Sequence, residues 1–352
     1  MMKYLLTFTV IFVISLFLYL YIPFNKILVT PEVIETSQTE ESVVNDVNSP
    51  ISIKGLRNRK INSDAYKIEQ KLANGFNYER YLVSYLSEGE KVFALLTIPF
   101  ESKPENGYPA IIFNHGYIPP KNYSTTSNYA SYVDYLARSG FVVLKIDMRG
   151  HGNSEGVATG SYFSSTYTID AISALKSLQK SDLIDPKRIG VWGHSMSGNL
   201  VLRLMLVSNE IKAGVIWAGA VYSYEDFGKY RISDASYMAR PQQQISQHPN
   251  RDNNPEIQKL REDSKSVDFS NDYWKAISLT QNLKYLDKPL QIHHSINDEV
   301  VNIGYSRDLE KVLKDNSKSY EYFEYPGGGH NITGIYFNQA MERTVEFFKK
   351  NL

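Results

Sequence analysis

The segment Ile189-Gly190-Val191-Trp192-Gly193-His194-Ser195-Met196-Ser197-Gly198-Asn199 passes from a short apolar run, through a turn, into a helical pattern that continues to Val207. The run has the character of a buried strand. Ser195 lies in the turn between strand and helix. So tight a turn holds the serine in a strained backbone conformation, and small residues two before and two after it let strand and helix approach closely. The serine then stands at a helix N-terminus, where backbone N–H groups stabilise negative charge. Ser197 takes the position usually held by glycine, and it is still small. The pattern marks Ser195 as a candidate nucleophile, and its place directly after a strand gives the motif a weight it lacks alone.

Outward from this point, short β-branched runs alternate with helical stretches. Residues 78–85 and 92–98 flank Glu88-Gly89-Glu90, which predicts a hairpin. Apolar runs at 110–113, 141–146, 213–217 and 290–292 predict buried parallel strands, and 319–325 a last one. Helical patterns cover 129–139, 168–180, 199–207 and 337–350. Strands alternating with helices imply an α/β fold, a mostly parallel central sheet with helices on both faces. Such a sheet keeps its chemistry at the carboxyl ends of its strands. From about 222 to 274 the chain is polar and rich in Tyr, Arg and Gln, without a convincing strand. So long an interruption predicts a cap lying over the strand ends, with some helix in 255–263.

A serine hydroxyl needs a base within hydrogen-bond reach to act as a nucleophile. Two later stretches offer partners. Asp298 follows the strand Leu290-Gln291-Ile292-His293-His294-Ser295, and His330 ends the glycine-rich run Gly327-Gly328-Gly329 after the last strand. Taken singly, Asp298 reads as a loop cap and His330 as a solvated side chain. Taken jointly, Ser195, Asp298 and His330 all lie just past strand ends and can converge above the sheet. Asn114-His115-Gly116-Tyr117 follows the strand at 110–113, and Gly116 permits a turn that aims the next N–H at the nucleophile. The candidate oxyanion donors are the backbone N–H groups of Tyr117 and Met196. His115 is assigned to holding the turn. In Asp147-Met148-Arg149-Gly150-His151-Gly152-Asn153-Ser154, Arg149 is expected to brace the loop by pairing with Asp147 or with carbonyls.

The chain has 352 residues, enough for one large α/β domain with extras. Its 38 Lys and Arg balance 38 Asp and Glu, which argues against nucleic acid as a partner. There is no cysteine, so disulfides, thiolate metal sites and a cysteine nucleophile are excluded. Residues 4–24 form one uncharged apolar run. As a helix it would extend about 32 Å, near the thickness of a bilayer core. It ends in Leu20-Tyr21-Ile22-Pro23-Phe24, without a small-residue cleavage pattern. Residues 1–25 are therefore expected to be a membrane anchor with the catalytic body extracytoplasmic; secretion after signal cleavage is the alternative. Residues 26–60 read as a tether, polar and acidic over 30–49, and 61–352 as the catalytic domain with its cap insertion.

The ordered set H-G-Y, D-x-R-G-x-G-x-S, G-H-S-x-S-G, N-D-x-x-V and G-G-H resembles the α/β-hydrolase superfamily, and most closely its prolyl-oligopeptidase-like branch of small esterases, deacetylases and peptidases. The resemblance runs from about Tyr78 to Leu352. It implies Ser195 as nucleophile, His330 as general base and acid, and Asp298 as the residue that orients His330. His294-Ser295 departs from the family's usual H-G, which bears on the packing under Asp298. The propeller of the large peptidases of this branch is expected to be absent, since too few residues precede Tyr78 in this sequence to build one. The expected reaction is hydrolysis of carboxylic esters through an acyl-enzyme, on a small-molecule ester or short peptide, without metal or organic cofactor. The rivals are a serine aminopeptidase or oligopeptidase, for which Glu225 and Asp226 are the candidate anchors of a substrate amine, and a silent binding protein on a hydrolase fold.

Overall fold

The computed structural model describes residues 49–230 and 243–352. The expected anchor at 1–25 lies outside the described residues, as does the tether up to residue 48. Among the described residues no helix is long and apolar enough to cross a membrane.

The chain enters through helix α1 (Ile53–Asn58), whose N-cap Ser52 accepts a hydrogen bond from the Gly55 N–H. Ile51, Ile53 and Leu56 are buried in the core, and Arg57 reaches the Leu206 carbonyl. The expected tether over 26–60 is thus corrected at its end: residues 49–60 pack onto the body, because these apolar side chains all turn inward. Strand β1 (Lys67–Leu72) follows. Its residues Lys-Ile-Glu-Gln-Lys-Leu face water, so it lacks the apolar alternation that betrays a strand. As a charged edge it also discourages pairing with another chain.

Strands β2 (Tyr78–Ser87) and β3 (Glu90–Pro99) form the expected hairpin, with Glu88 and Gly89 both at positive φ in the turn. The strands β4 (Tyr108–Asn114), β5 (Val142–Asp147), β6 (Ile184–His194), β7 (Ala213–Trp217), β8 (Leu290–Ser295) and β9 (Tyr320–Tyr325) complete one sheet. The strand order is β1-β2-β3-β5-β4-β6-β7-β8-β9. β1, β2, β3 and β5 pair antiparallel, and every pairing from β5 to β9 is parallel. β5, β7 and β8 are buried along their whole length because helices cover both faces.

Those helices are α2 (Ala130–Arg138), α3 (Thr166–Leu178), α4 (Met196–Val207), α5 (Gly304–Asp315) and α6 (Ile335–Asn351). All twelve residues of α4 are buried, which fits a helix packed between the sheet and its neighbours. One apolar cluster gathers α3, α4 and one sheet face; a second gathers α2, α6 and the other. The described parts of the insertion, 222–230 and 243–274, hold short helices, with Pro255–Glu262 among them. They pack beside the loop before α3: Asp252 N–H donates to the Phe163 carbonyl at 2.9 Å and Ser165 N–H to that of Asn250 at 2.9 Å.

Candidate active site

Ser195 sits between β6 and α4 with φ 55° and ψ −121°. For a residue with a Cβ this is a strained conformation, worth about 1–3 kcal/mol. Backbone hydrogen bonds hold it there. Ser195 N–H donates to the Trp217 carbonyl at 2.9 Å, and Gly198 N–H to the Ser195 carbonyl at 2.8 Å. A Cβ on Gly193 would lie 2.6 Å from the Ser197 carbonyl oxygen, so only glycine lets the strand meet the helix here. Ser197 has a purpose that a glycine could not serve: its hydroxyl donates to the His115 carbonyl at 2.5 Å. The close approach falls instead at Gly198, whose added Cβ would stand 2.5 Å from the Gly219 Cα.

His330 lies in a short 3-10 turn entered through Gly328 at φ 105°. Its Nδ1 is 2.8 Å from Asp298 Oδ2. Asp298 has its side chain wholly buried and accepts three more hydrogen bonds. The N–H groups of Val300 and Val301 reach Oδ1, both at 2.8 Å, and His294 Nε2 lies 3.1 Å from Oδ2. Burial raises the Asp298 pKa, but the hydrogen bonds from His294, His330 and Val301 outweigh it and hold the carboxyl well below the usual carboxylate range. Because Nδ1 of His330 faces a carboxylate, its proton belongs there, and Nε2 is left as the basic nitrogen. The loops are also sewn together. Asn297 Oδ1 accepts from Gly329 N–H at 3.0 Å and from the Ser295 hydroxyl at 2.6 Å. The family departure at His294-Ser295 therefore supports the Asp298 loop.

Ser195 and His330 line one cavity of about 670 Å³ with Gly116, Tyr117, His194 and Phe337. Ser195 is 8% exposed, and its Oγ has no hydrogen-bond partner among the described residues. The Gly116 backbone closes on it: a Cβ there would be 3.1 Å from the Ser195 Cβ and 2.7 Å from the Tyr129 hydroxyl. The turn at Tyr117 thus borders the serine. Met196 is the first residue of α4, so its N–H has no carbonyl one turn back to receive it. His115 is buried and outside the cavity, its Nδ1 2.7 Å from the Gly116 carbonyl oxygen. Burial pushes its pKa well down.

Arg149 corrects an expectation. It pairs with Asp170, Nε to Oδ1 at 2.7 Å, and with Glu88 at 3.2 Å, rather than with Asp147. Asp147 instead accepts from the hydroxyls of Tyr123, at 2.6 Å, and Thr125. Among the described residues, none from the insertion lines the cavity; residues 231–242 of the expected cap lie outside the described residues. The walls come from the start of α2 (Asn128, Ser131, Tyr132) and from the segment after His330 (Asn331, Thr333, Gly334). Glu225 and Asp226 lie elsewhere. Asp226 is buried, and burial, with Asp308 nearby, pushes its pKa up to about 7.

A family model described as serine aminopeptidase, S33 matches residues 109–334, the span from β4 through the His330 loop. The chain belongs to the serine aminopeptidase S33 family. Its fold is that of an α/β-hydrolase. Human protein ABHD12B is 25% identical over 237 residues, which cover 66% of this chain and 59% of that protein. The chain therefore spans about three-fifths of the length of that relative. Among solved structures, an acetyl xylan esterase from Paenibacillus sp. R4 superposes with TM-score 0.59 at 16% identity, covering 85% of this chain and 92% of that one. An acylaminoacyl peptidase from Pyrococcus horikoshii gives 0.57 at 19% identity, covering 78% and 42%. These likenesses concern the fold.

Within this S33 member, Ser195 and His330 line one cavity, and Asp298 stands behind it against His330 Nδ1. Tyr129 and His194 were not singled out by sequence, although both line the cavity. Tyr129 reads only as the start of a helix, and His194 only as a filler position of the elbow.

Proposed function

We propose that the protein is a serine hydrolase that cleaves uncharged carboxylic esters through an acyl-enzyme. The observation that carries this reading is the shared cavity of Ser195 and His330, with His330 Nδ1 2.8 Å from the buried Asp298 carboxylate. Ser195 Oγ attacks the ester carbonyl while its proton passes to His330 Nε2. Asp298 keeps the ring oriented and balances the imidazolium charge. The tetrahedral oxyanion rests on the N–H groups of Tyr117 and Met196. His330 then protonates the departing alcohol, and a water, deprotonated by the same nitrogen, cleaves the acyl-enzyme to release the acid.

The cavity walls support this choice of substrate class. Among the described residues these carry hydroxyls, amides and aromatic rings, and no carboxylate or Lys/Arg. An α-ammonium group would find no carboxylate partner there, and Glu225 and Asp226 are not at hand. This favours an ester over a peptide with a free amine. The family description supports a second reading, a peptidase; an N-acylated peptide, which also lacks the amine, fits the same walls. The expected N-terminal anchor would display the body on the extracytoplasmic side.

Ser195→Ala is expected to abolish both hydrolysis of short p-nitrophenyl esters and labelling by a fluorophosphonate probe. Retained turnover would overturn the assignment. A panel of acyl esters, N-acetylated and free aminoacyl-arylamides then ranks the substrate classes, with free amines expected last.

A further inference from the structure

The Tyr129 hydroxyl and the His194 ring form a continuous hydrogen-bonded chain through the three loops that surround Ser195. Gly116 N–H is 2.9 Å from the Tyr129 hydroxyl. That hydroxyl is 2.7 Å from His194 Nδ1. His194 Nε2 is 2.9 Å from the His330 carbonyl oxygen. The chain has one consistent set of protons. Gly116 N–H can only donate, and the His330 carbonyl can only accept. His194 must therefore carry its proton on Nε2, its Nδ1 must accept, and the phenol must give its own proton to Nδ1 while accepting from Gly116. Each group is used once, and all point the same way.

We propose that Tyr129 and His194 are positioning residues for the acyl-transfer reaction, linking the Gly116 turn, the serine elbow and the His330 loop so that donor, nucleophile and base keep a common register. The inference rests on the serine-hydrolase reading above. Two independent features support it. Tyr129 has φ 60° and ψ 21° at the start of α2, a left-handed conformation that a residue with a bulky side chain adopts only when its surroundings demand it. The surroundings are aromatic: its ring packs edge-on to Phe113 and Trp192, with Tyr132 alongside. This fixes the direction of the hydroxyl. Second, His194 lies against the ring of His330, centroids 4.5 Å apart. Burial and the charge on His330 push its pKa down to about 3, so it stays neutral and keeps its Nδ1 lone pair while His330 takes and returns protons.

The chain also divides labour between neighbouring amides. Gly116 N–H is committed to Tyr129, which removes it as an oxyanion donor. The carbonyl of His330 is committed to His194, and that of Asn331 accepts from the Tyr132 hydroxyl at 2.8 Å. The backbone on both sides of the His330 side chain is thereby held from α2 and from the elbow. A shift of about 1 Å in such groups is enough to slow a reaction strongly.

The test compares Tyr129→Phe, His194→Asn and the double variant. Phenylalanine keeps the ring and loses only the hydroxyl. Asparagine retains an acceptor near Nδ1 and loses the reach to His330. Rates on p-nitrophenyl acetate are normalised to sites titrated with fluorophosphonate, so a loss of folded protein does not enter. A 10- to 100-fold fall in kcat per titrated site is expected for each single variant, with KM within about twofold. The double variant should be no slower than the worse single one, because both break the same chain. Unchanged kcat per site would reduce these residues to a packing role, and multiplying effects would show that they act separately; either result overturns the proposal. Should Tyr129→Phe fail to fold, the His194→Asn kcat and KM decide alone. Failure of the hydrolase reading looks different: Ser195→Ala would then remain as active as the parent protein.

Discussion

Two wings flank Ser195, and they are held in place by different means. On one, Asp298 draws its further hydrogen bonds from residues no more than four positions away: His294, Val300 and Val301. On the other, the Gly116 amide depends on Tyr129, 13 residues on, and Tyr129 depends on His194, 65 residues further still. The first wing is a self-satisfied loop at the end of β8. The second is a tertiary assembly whose geometry exists only after α2 and the elbow have docked. Local changes should therefore damage the first wing most sharply, and distant supports the second.

The strongest test of this contrast is Asp298→Asn. The amide would present the wrong partner to His330 Nδ1–H or to His294, so the basic nitrogen would no longer be held toward the cavity. A fall in kcat of about 10⁴-fold is expected, by analogy with serine triads generally. Turnover with short esters measures it, and a loss below tenfold would mean that Asp298 does not orient the base. The same carboxylate has a stability signature. Its pKa in the fold is depressed, so its contribution is complete above the unfolded value, about 4, and drains as pH falls from there toward the folded value. Urea titrations below about pH 4 should show a shallower acid loss in Asp298→Asn than in the parent protein. Equal slopes would assign the acid sensitivity to other groups.

Arg149→Ala probes the remote support of the oxyanion wing. The guanidinium is 2% exposed and faces the fully buried Asp170. The loop it braces carries His151, whose Nε2 is 3.1 Å from the Ile118 carbonyl oxygen at the cavity wall. Removing one partner of such a pair strands the other, at a cost of about 3–5 kcal/mol. Chemical denaturation reads this directly. Loss under 1 kcal/mol would mean that Asp170 finds another partner and that the second wing does not depend on this distant contact.

His294→Ala addresses the first wing more gently. It deletes one donor to Asp298 and leaves the Ser306 hydroxyl and the Val301 carbonyl without this partner. Hydrogen bonds to charged groups contribute about 1.5–3 kcal/mol. That is the expected destabilisation at neutral pH, with kcat falling about tenfold as the carboxylate loosens. The two effects should shrink together in an Asp298→Asn background; full persistence there would separate His294 from Asp298.

These contrasts also explain what could be read from sequence. The interior strands were legible because burial on both faces leaves apolar runs such as Phe141 to Leu144. Ser195, Asp298 and His330 were legible because each falls just past a strand, where an α/β sheet concentrates reactive groups. β1 was not, since an edge strand of Lys, Glu and Gln has no face to bury. Arg149 reads from sequence as a loop brace paired with Asp147 or with carbonyls, whereas its partner Asp170 is distant in sequence and brought in by α3. Tyr129 carried no signal at all, because its importance lies in a hydroxyl direction set by Phe113 and Trp192. The insertion is legible only as a break in the alternation, because its docking beside the loop before α3 runs through the backbone groups of Asn250 and Asp252, which leave no mark in the sequence.

Ser197→Ala should have the smallest effect, and it joins the two halves of the comparison. Its hydroxyl donates from the elbow helix to the His115 carbonyl, at the root of the Gly116 turn. A neutral hydrogen bond of this kind contributes about 1 kcal/mol. In a domain of this size that corresponds to a fall in Tm of about 1–2 °C. Alanine creates no clash, because the backbone contact that excludes a side chain falls at Gly198. The expected result is therefore a small loss of Tm with kcat reduced about twofold to threefold. A kcat loss as large as that of Tyr129→Phe would show that the turn hangs on the elbow through Ser197, and the Tyr129–His194 chain would then be only one of two ties. An unchanged Tm would mean that a water replaces the hydroxyl, leaving Tyr129 as the principal link between the oxyanion wing and the nucleophile.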